Sequence, residues 1–240
     1  MIAIHSVSVV IPARREETTI GAVLDALAEG MKACPRYEYE TLVVVDQASD
    51  PTGAVAAAKG ARILVNEYGK GKGNALAYGF RHARGEVFVI FDSDGSHDPR
   101  DIGRLLDALD KGAGLAVASR VLGGSDDHNV VRLFGNALFT VLFSILFGTT
   151  LMDVLNGFKA FVRDVAPIDG HRAKGFDVEI EIAARAIRKG YALAEVASHE
   201  NKRAGGVMKS NAVMDGFLIL WAVLKEGLAY RLWTLFHARK

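Results

Sequence analysis

Only one cysteine, Cys34, occurs in the 240 residues, so no disulfide framework can form within the chain. A reducing, cytosolic setting fits that absence. Cys34 stands alone before Pro35 and reads as structural or incidental. An excess of one charge is also missing: 29 Lys and Arg face 28 Asp and Glu, a net charge of +1. No overall field points to nucleic acid, and any basic site must be local. Uninterrupted apolar runs of the ~18–20 residues that a spanning helix needs are absent. No signal peptide is legible in MIAIHSVSVVIPARREE, whose short apolar run ends in charge without a cleavage site and reads as a strand. Neither an internal repeat nor a low-complexity linker divides the chain.

What is present is apolar bulk. Half of the residues are hydrophobic, enough for one large domain with a sizeable core. The first half alternates. Strands are expected at 6–12, 41–46, 61–66, 86–92 and 114–120, and helices at 18–33, 51–60, 74–83 and 99–112. Such alternation implies a parallel sheet with helices on both faces. Runs such as LVVV and VFVIF suit strands buried on both sides. Polar residues gather where four strands end, at 12–17, 46–50, 92–98 and 119–120, and in open parallel sheets ligands bind beyond those ends. The second half carries a helix around 176–190, a strand at 191–198 and two strongly apolar segments, 132–148 and 213–236.

Residues 91–99, FDSDGSHDP, close a buried strand with Asp92 and Asp94 one residue apart. On extended chain, residues i and i+2 project to the same side, so both carboxylates reach one point. Hard oxygen ligands suit Mg²⁺ or Mn²⁺, which also bind phosphate oxygens. Ser96 or His97 is a candidate third ligand. A solvated turn is the alternative for an isolated D-x-D. The glycine-rich turn GKGKG at 69–73 opens a helix, and its backbone N–H groups, with Lys70 and Lys72, suit a phosphate. It is not a Walker loop, because no Ser or Thr follows at the required spacing.

Taken in order, VSVVIPARREETTI, LVVVDQASD, NEYGKGKGNALAYG, ARGEVFVIFDSDGSHDP and AVASR resemble the family 2 glycosyltransferases with the GT-A fold. The later pieces DVLNGFKAF, FDVEIEI and KRAGGVMKS resemble the dolichyl- or polyprenyl-phosphate sugar transferase branch. The resemblance covers roughly residues 6–210 and implies a Rossmann-like, mostly parallel α/β sheet. It also implies roles. Pro12, Ala13, Glu16, Asp46, Gln47, Lys72 and Asp92 would bind the nucleotide sugar, with Gln47 where relatives commonly carry a second acid. Asp92 and Asp94 would hold Mg²⁺ or Mn²⁺. Asp94, Asp153 and Arg120 would serve the transfer, and Arg120, Arg132, Arg203 and Lys209 would bind an acceptor phosphate. Relatives often read D-P-T-S-G-F-R around Asp153, and Val154, Leu155 and Asn156 depart from that pattern. Glu179 would contact the sugar or buttress the loop.

A lipid phosphate is already anionic and needs no general base, whereas a sugar hydroxyl would need one. The resemblance implies inverting transfer of a sugar from a UDP- or GDP-sugar to a polyprenyl phosphate. A soluble phosphorylated or polysaccharide acceptor is the alternative. A sugar nucleotidyltransferase would carry a glycine run after the first strand, which IPARREE lacks. The apolar segments, flanked by Trp and basic residues, suit helices lying in a membrane interface. Burial against the domain or in a homodimer is the other use for such faces. The expected organisation is a GT-A domain over 1–210 and an amphipathic segment over 211–240, attached peripherally at the cytoplasmic face of the membrane.

Overall fold

The computed structural model describes residues 4–126, 129–205 and 212–237. Strand β1 (Ser6–Ala13) leads through helix α1 (Ile20–Lys32) to β2 (Glu38–Val45), then α2 (Pro51–Ala58), β3 (Arg62–Val65), α3 (Lys72–His82), β4 (Val87–Ile90), α4 (Asp101–Asp110) and β5 (Ala113–Ser119). These are the elements the periodicity predicts, shifted by a few residues at their ends. Alternate strand residues enter two cores. Val9, Ile11, Val43 and Val45 pack under α1 and α4, while Val10, Leu42, Val44 and Phe88 face the opposite core. Both faces of β1, β4, β5 and the second half of β2 are dry, which is why those runs are continuous rather than alternating. Asp50 accepts from Thr52 N at 3.0 Å and Pro51 takes the first helical position, so α2 starts sharply.

The chain then forms a short helix α5 (Arg120–Gly123), the long helix α6 (Val130–Phe147), β6 (Lys159–Val162), a 3-10 turn (Arg163–Val165), α7 (Val178–Arg188), β7 (Ala192–Ala197) and α8 (Ala212–His237). The seven strands order as β3-β2-β1-β4-β6-β5-β7. All pairings are parallel except those of β6, which runs antiparallel between β4 and β5. Sequence periodicity assigned no strand to 153–164. Strand β6 has four residues and begins with a lysine, so it offers almost no period to read.

Helices α6 and α8 pack against each other, and α8 packs against α7. Phe143 and Phe147 of α6 and Ile219 and Val223 of α8 are buried. Glu226 ties α8 to α7 through Arg188 at 2.5 Å. The outer faces remain apolar and exposed, with Leu133, Phe134 and Leu138 on α6 and Phe217, Trp221 and Leu232 on α8. The sequence offered no convincing span, yet α6 is long and apolar enough to cross a membrane: its 18 residues have a mean hydropathy of 2.0, and 17% of them are buried. Averaging explains the difference, because Asn136, Thr140 and Ser144 interrupt the run without offsetting its Phe, Leu, Ile and Val.

Candidate active site

A cavity of about 720 Å³ opens at the carboxyl ends of β1, β2, β4 and β5. Strand β1 lies between β2 and β4, so the strand order reverses here, where open α/β sheets form their binding crevice. Ten of the expected site residues line it: Pro12, Ala13, Glu16, Asp46, Lys72, Asp92, Asp94, Arg120, Arg132 and Arg203. Gln47 is exposed beside Asp46 and is not part of the lining. Lys209 lies outside the described residues.

The nucleotide side is built from strand ends. Arg14 Nε stands 3.6 Å from Asp46 at the end of β2. Glu16 is buried; its N–H donates to Thr52 Oγ1 at 2.8 Å and its carboxylate meets Thr19 Oγ1 at 3.1 Å. Thr19 also donates to Ser93 O at 2.9 Å, which couples the β1 loop to the acidic loop.

In that loop the two aspartates have different partners. Asp92 Oδ1 is 3.0 Å from Lys72 Nζ, and Oδ2 is 3.1 Å from His97 Nε2. Burial alone would raise the Asp92 pKa, but Lys72 and His97 outweigh it and hold the carboxyl far below the usual carboxylate range. Burial opposes the Lys72 charge too, and Asp92 with Glu179 overcomes it, raising the ammonium pKa above its ordinary value. Asp94 Oδ1 accepts from Ser96 N at 3.0 Å and Ser96 Oγ at 2.6 Å, and Oδ2 is 3.1 Å from Arg203 Nη1. Backbone bonds from Ala204 N to Asp94 O and from Asn201 N to Ser96 O, both 2.9 Å, fasten the loop that carries Arg203 onto the acidic loop.

The third cluster joins residues far apart in sequence. Arg120 forks onto Asp153, with Nε to Oδ2 at 2.8 Å and Nη2 to Oδ1 at 2.7 Å, and Nη1 reaches Glu200 at 3.5 Å. Asp153 is buried and does not line the cavity; its carboxylate faces the guanidinium. Burial penalises Arg120, and the two acids more than compensate. Helix α6 contributes Arg132 in its first turn, where Asn129 caps the helix by accepting from Arg132 N at 3.2 Å.

These residues fit a hard divalent cation. Asp92 and Asp94 offer carboxylate oxygens inside the cavity beside cationic side chains that suit phosphate. Among the described residues no cluster of three or more His, Cys, Asp or Glu forms a metal cage. His97 sits on Asp92 instead of completing one. Mg²⁺ is commonly held by one or two carboxylates, with substrate phosphates and water filling its shell.

Sequence reasoning missed Glu200, which also accepts from Ser125 Oγ at 2.5 Å, and Lys159, a charge inside GFKAF that could have flagged a buried pair.

A crossover sheet with acidic and basic side chains at its switch point is the architecture of GT-A glycosyltransferases. The sequence model of glycosyl transferase family 2 matches residues 8–167, and the chain belongs to that family. Polyprenol monophosphomannose synthase of Mycolicibacterium smegmatis is 31% identical, over 90% of this chain and 84% of its own length. Undecaprenyl-phosphate mannosyltransferase of Micrococcus luteus is 29% identical, over 89% and 92%. Among solved structures, glucosyl-3-phosphoglycerate synthase of Mycobacterium tuberculosis, in complex with Mn²⁺, UDP and phosphoglyceric acid, superposes with a TM-score of 0.73. It is 24% identical, over 93% of this chain and 78% of that one, and shares the fold.

Proposed function

We propose that this glycosyltransferase moves a sugar from a nucleotide sugar to a polyprenyl phosphate at a membrane surface, inverting the anomeric carbon. One observation carries the reading. The cavity is continuous from the acidic loop, with its cations, to the α6–α8 wall, where Arg132, Asn136, Phe139 and Ile219 line it. A charged donor end and an apolar acceptor end thus share one space. The two relatives named for polyprenyl-phosphate mannose chemistry match most of the chain, which supports the same acceptor class.

In this reading the anomeric C–O bond to the diphosphate breaks as an oxygen of the acceptor phosphate attacks. Asp92 and Asp94 would hold Mg²⁺ or Mn²⁺, which when bound offsets the charge on the departing diphosphate. Lys72 supplies a further positive charge on the donor side. Arg120, aimed by Asp153 and Glu200, and Arg132 and Arg203 hold the acceptor phosphate beside a second polyanion. Asp153 acts by orienting Arg120, because its two oxygens are occupied by the guanidinium fork. Pro12, Ala13, Glu16 and Asp46 shape the nucleotide pocket, Gln47 sits at its rim, and Lys209 belongs to the same acceptor group by sequence. The exposed faces of α6 and α8 rest in the headgroup region of the cytoplasmic leaflet, so residues 211–240 attach the catalytic part, 1–210, to the surface that holds the lipid.

Purified protein incubated with Mg²⁺ or Mn²⁺, a short polyprenyl phosphate and radiolabelled UDP- and GDP-sugars in turn should carry label into the organic phase. Metal-dependent nucleotide release with no lipid label from any donor would overturn the lipid acceptor and leave a soluble one.

A further inference from the structure

Behind the cavity, the row of charges that ends at Lys72 and Asp92 runs back into the core through two residues that the transfer step above does not use. Lys159, the first residue of β6, is fully buried. It pairs with Ile90 at the end of β4 and with Val117 of β5, so the central sheet fixes its backbone. Its Nζ donates to Val154 O at 2.7 Å and stands 2.8 Å from Glu179 Oε2. Glu179, in the first turn of α7, is 1% exposed. Among the described residues neither of its side-chain oxygens receives a well-aligned hydrogen bond; ammonium groups approach both, Lys159 on one and Lys72 at 3.2 Å on the other. Lys72 in turn meets Asp92 at 3.0 Å. The order is Lys159, Glu179, Lys72, Asp92, from the core to the cavity.

The walls around Lys72 are shaped to its ammonium. A Cβ on Gly157 would lie 2.6 Å from Lys72 Nζ and 3.1 Å from Asp92 Oδ2, so only glycine leaves that space open. The Phe176 ring centroid is 5.5 Å from the same Nζ. A buried ion pair is poor evidence for stability, because apolar residues of similar volume often serve as well. A lysine on a flexible four-carbon stem, held by Asp92 alone, would follow whatever drew on that carboxylate. A second anion fixed from behind keeps the ammonium in place.

We propose that Lys159 and Glu179 are positioning residues: Glu179, pinned by Lys159, is the second anchor that aims Lys72 at the donor diphosphate. The inference rests on the donor-site reading given above. Neither residue touches the ligand. Glu179 acts through Lys72, and Lys159 acts through Glu179.

The test uses the full chain and two probes, UDP and GDP, titrated calorimetrically with Mg²⁺ and again in EDTA, with thermal melting of each variant. Lys159→Met/Glu179→Gln removes the pair while keeping its volume. Its Tm should stay near that of the parent, while the Kd of the preferred nucleotide rises about tenfold in both conditions. Donor KM should rise with it and kcat should change far less. Glu179→Gln alone leaves the buried Lys159 ammonium without its carboxylate, so its Tm should fall, but titrated well below that melt it should show the same weakening, and it carries the test if the double variant does not fold. Parent-like nucleotide affinity in a folded variant lacking the Glu179 charge would reduce the pair to a structural role and overturn the inference. Lys72→Met separates the two ideas. If it binds nucleotide as the parent does, the donor-site reading and the inference fall together. If it binds weakly while the Glu179 variants do not, the inference falls alone.

Discussion

Strands β1, β2 and β4 bury Val9, Val10, Val43, Val44, Phe88 and Val89 and set their charges beyond the last apolar residue, at Glu16, Asp46, Asp92 and Asp94. Strand β6 and helix α7 do the reverse. They carry Lys159, Glu179 and Glu181 into the interior. Glu181 accepts from the backbone N–H groups of Arg172 and Ala173 at 3.0 and 2.9 Å. The next residue, Lys174, accepts from Gly73 N at 3.0 Å, so the same helix also braces the turn that carries Lys72. Gly71 in that turn has φ +123°, and a Cβ there would fall 2.1 Å from Lys174 O. In the first region the site charges sit past the strand ends and bond to the loops and to one another. In the second, the charges are part of the packing that presents the site.

The largest separation between the regions should appear when each loses one charge. Asp94→Ala is expected to lower kcat by roughly 10²–10³, at a stability cost limited to the Ser96 hydrogen bonds that it gives up, about 1–2 kcal/mol. Activity retained at saturating metal would remove Asp94 from the metal site. Lys159→Met should do the opposite to the fold. It strands Glu179 in the interior with one cation, a loss of about 3–5 kcal/mol by chemical denaturation. A parent-like denaturation midpoint would break the contrast between the two regions.

The contrast also explains what was legible in the sequence. Elements buried on both faces announce themselves as apolar runs, so β1 to β5 and their helices were readable, as was the crevice at their carboxyl ends. FDSDGSHDP was readable because its charges follow such a run. Arg120 and Asp153 were each singled out through the resemblance, but their fork was not legible, since they stand 33 positions apart and nothing local pairs them. Lys159 was hidden for a related reason. A lysine in a short segment reads as a surface residue until β4 and β5 close on either side of it. Glu200 meets Arg120 only because β7 runs parallel to β5 and brings its far end to the cavity.

A third region, the α6–α8 pair, tests whether the second half of the chain adds acceptor functions to a donor-binding first half. Arg132→Ala should raise the KM for polyprenyl phosphate about tenfold or more, in line with loss of a charged hydrogen bond, and spare metal-dependent donor hydrolysis. Equal losses in both would argue against an acceptor role. The joint change Phe134→Glu and Trp221→Glu alters two exposed side chains, so each should cost stability no more than about 0.5 kcal/mol. Sedimentation with anionic vesicles should nonetheless fall, while transfer to a short, detergent-dispersed acceptor persists. Unchanged vesicle binding would assign these faces to something other than lipid.

The smallest effect isolates the buried lysine by its proton. Burial lowers the Lys159 pKa, opposed by the attraction of Glu179. The unfolded chain keeps a lysine near the ordinary value of about 10.4, so between the two pKa values the unfolded state binds more protons. Stability from this group therefore rises as pH climbs through that window, and the penalty for charging it is fully present below the folded pKa. Lys159→Arg keeps the charge against Glu179 and abolishes the titration, because a guanidinium stays protonated throughout. Lys72, raised by Asp92 and Glu179, contributes with the opposite sign but is present in both proteins and cancels in their difference. From neutral pH toward pH ~10, the stability of the parent relative to Lys159→Arg should increase. A difference that stays flat would mean that Lys159 titrates as an ordinary lysine, and that the interior behind the site is more open to water than the packing of β4, β5 and β6 implies.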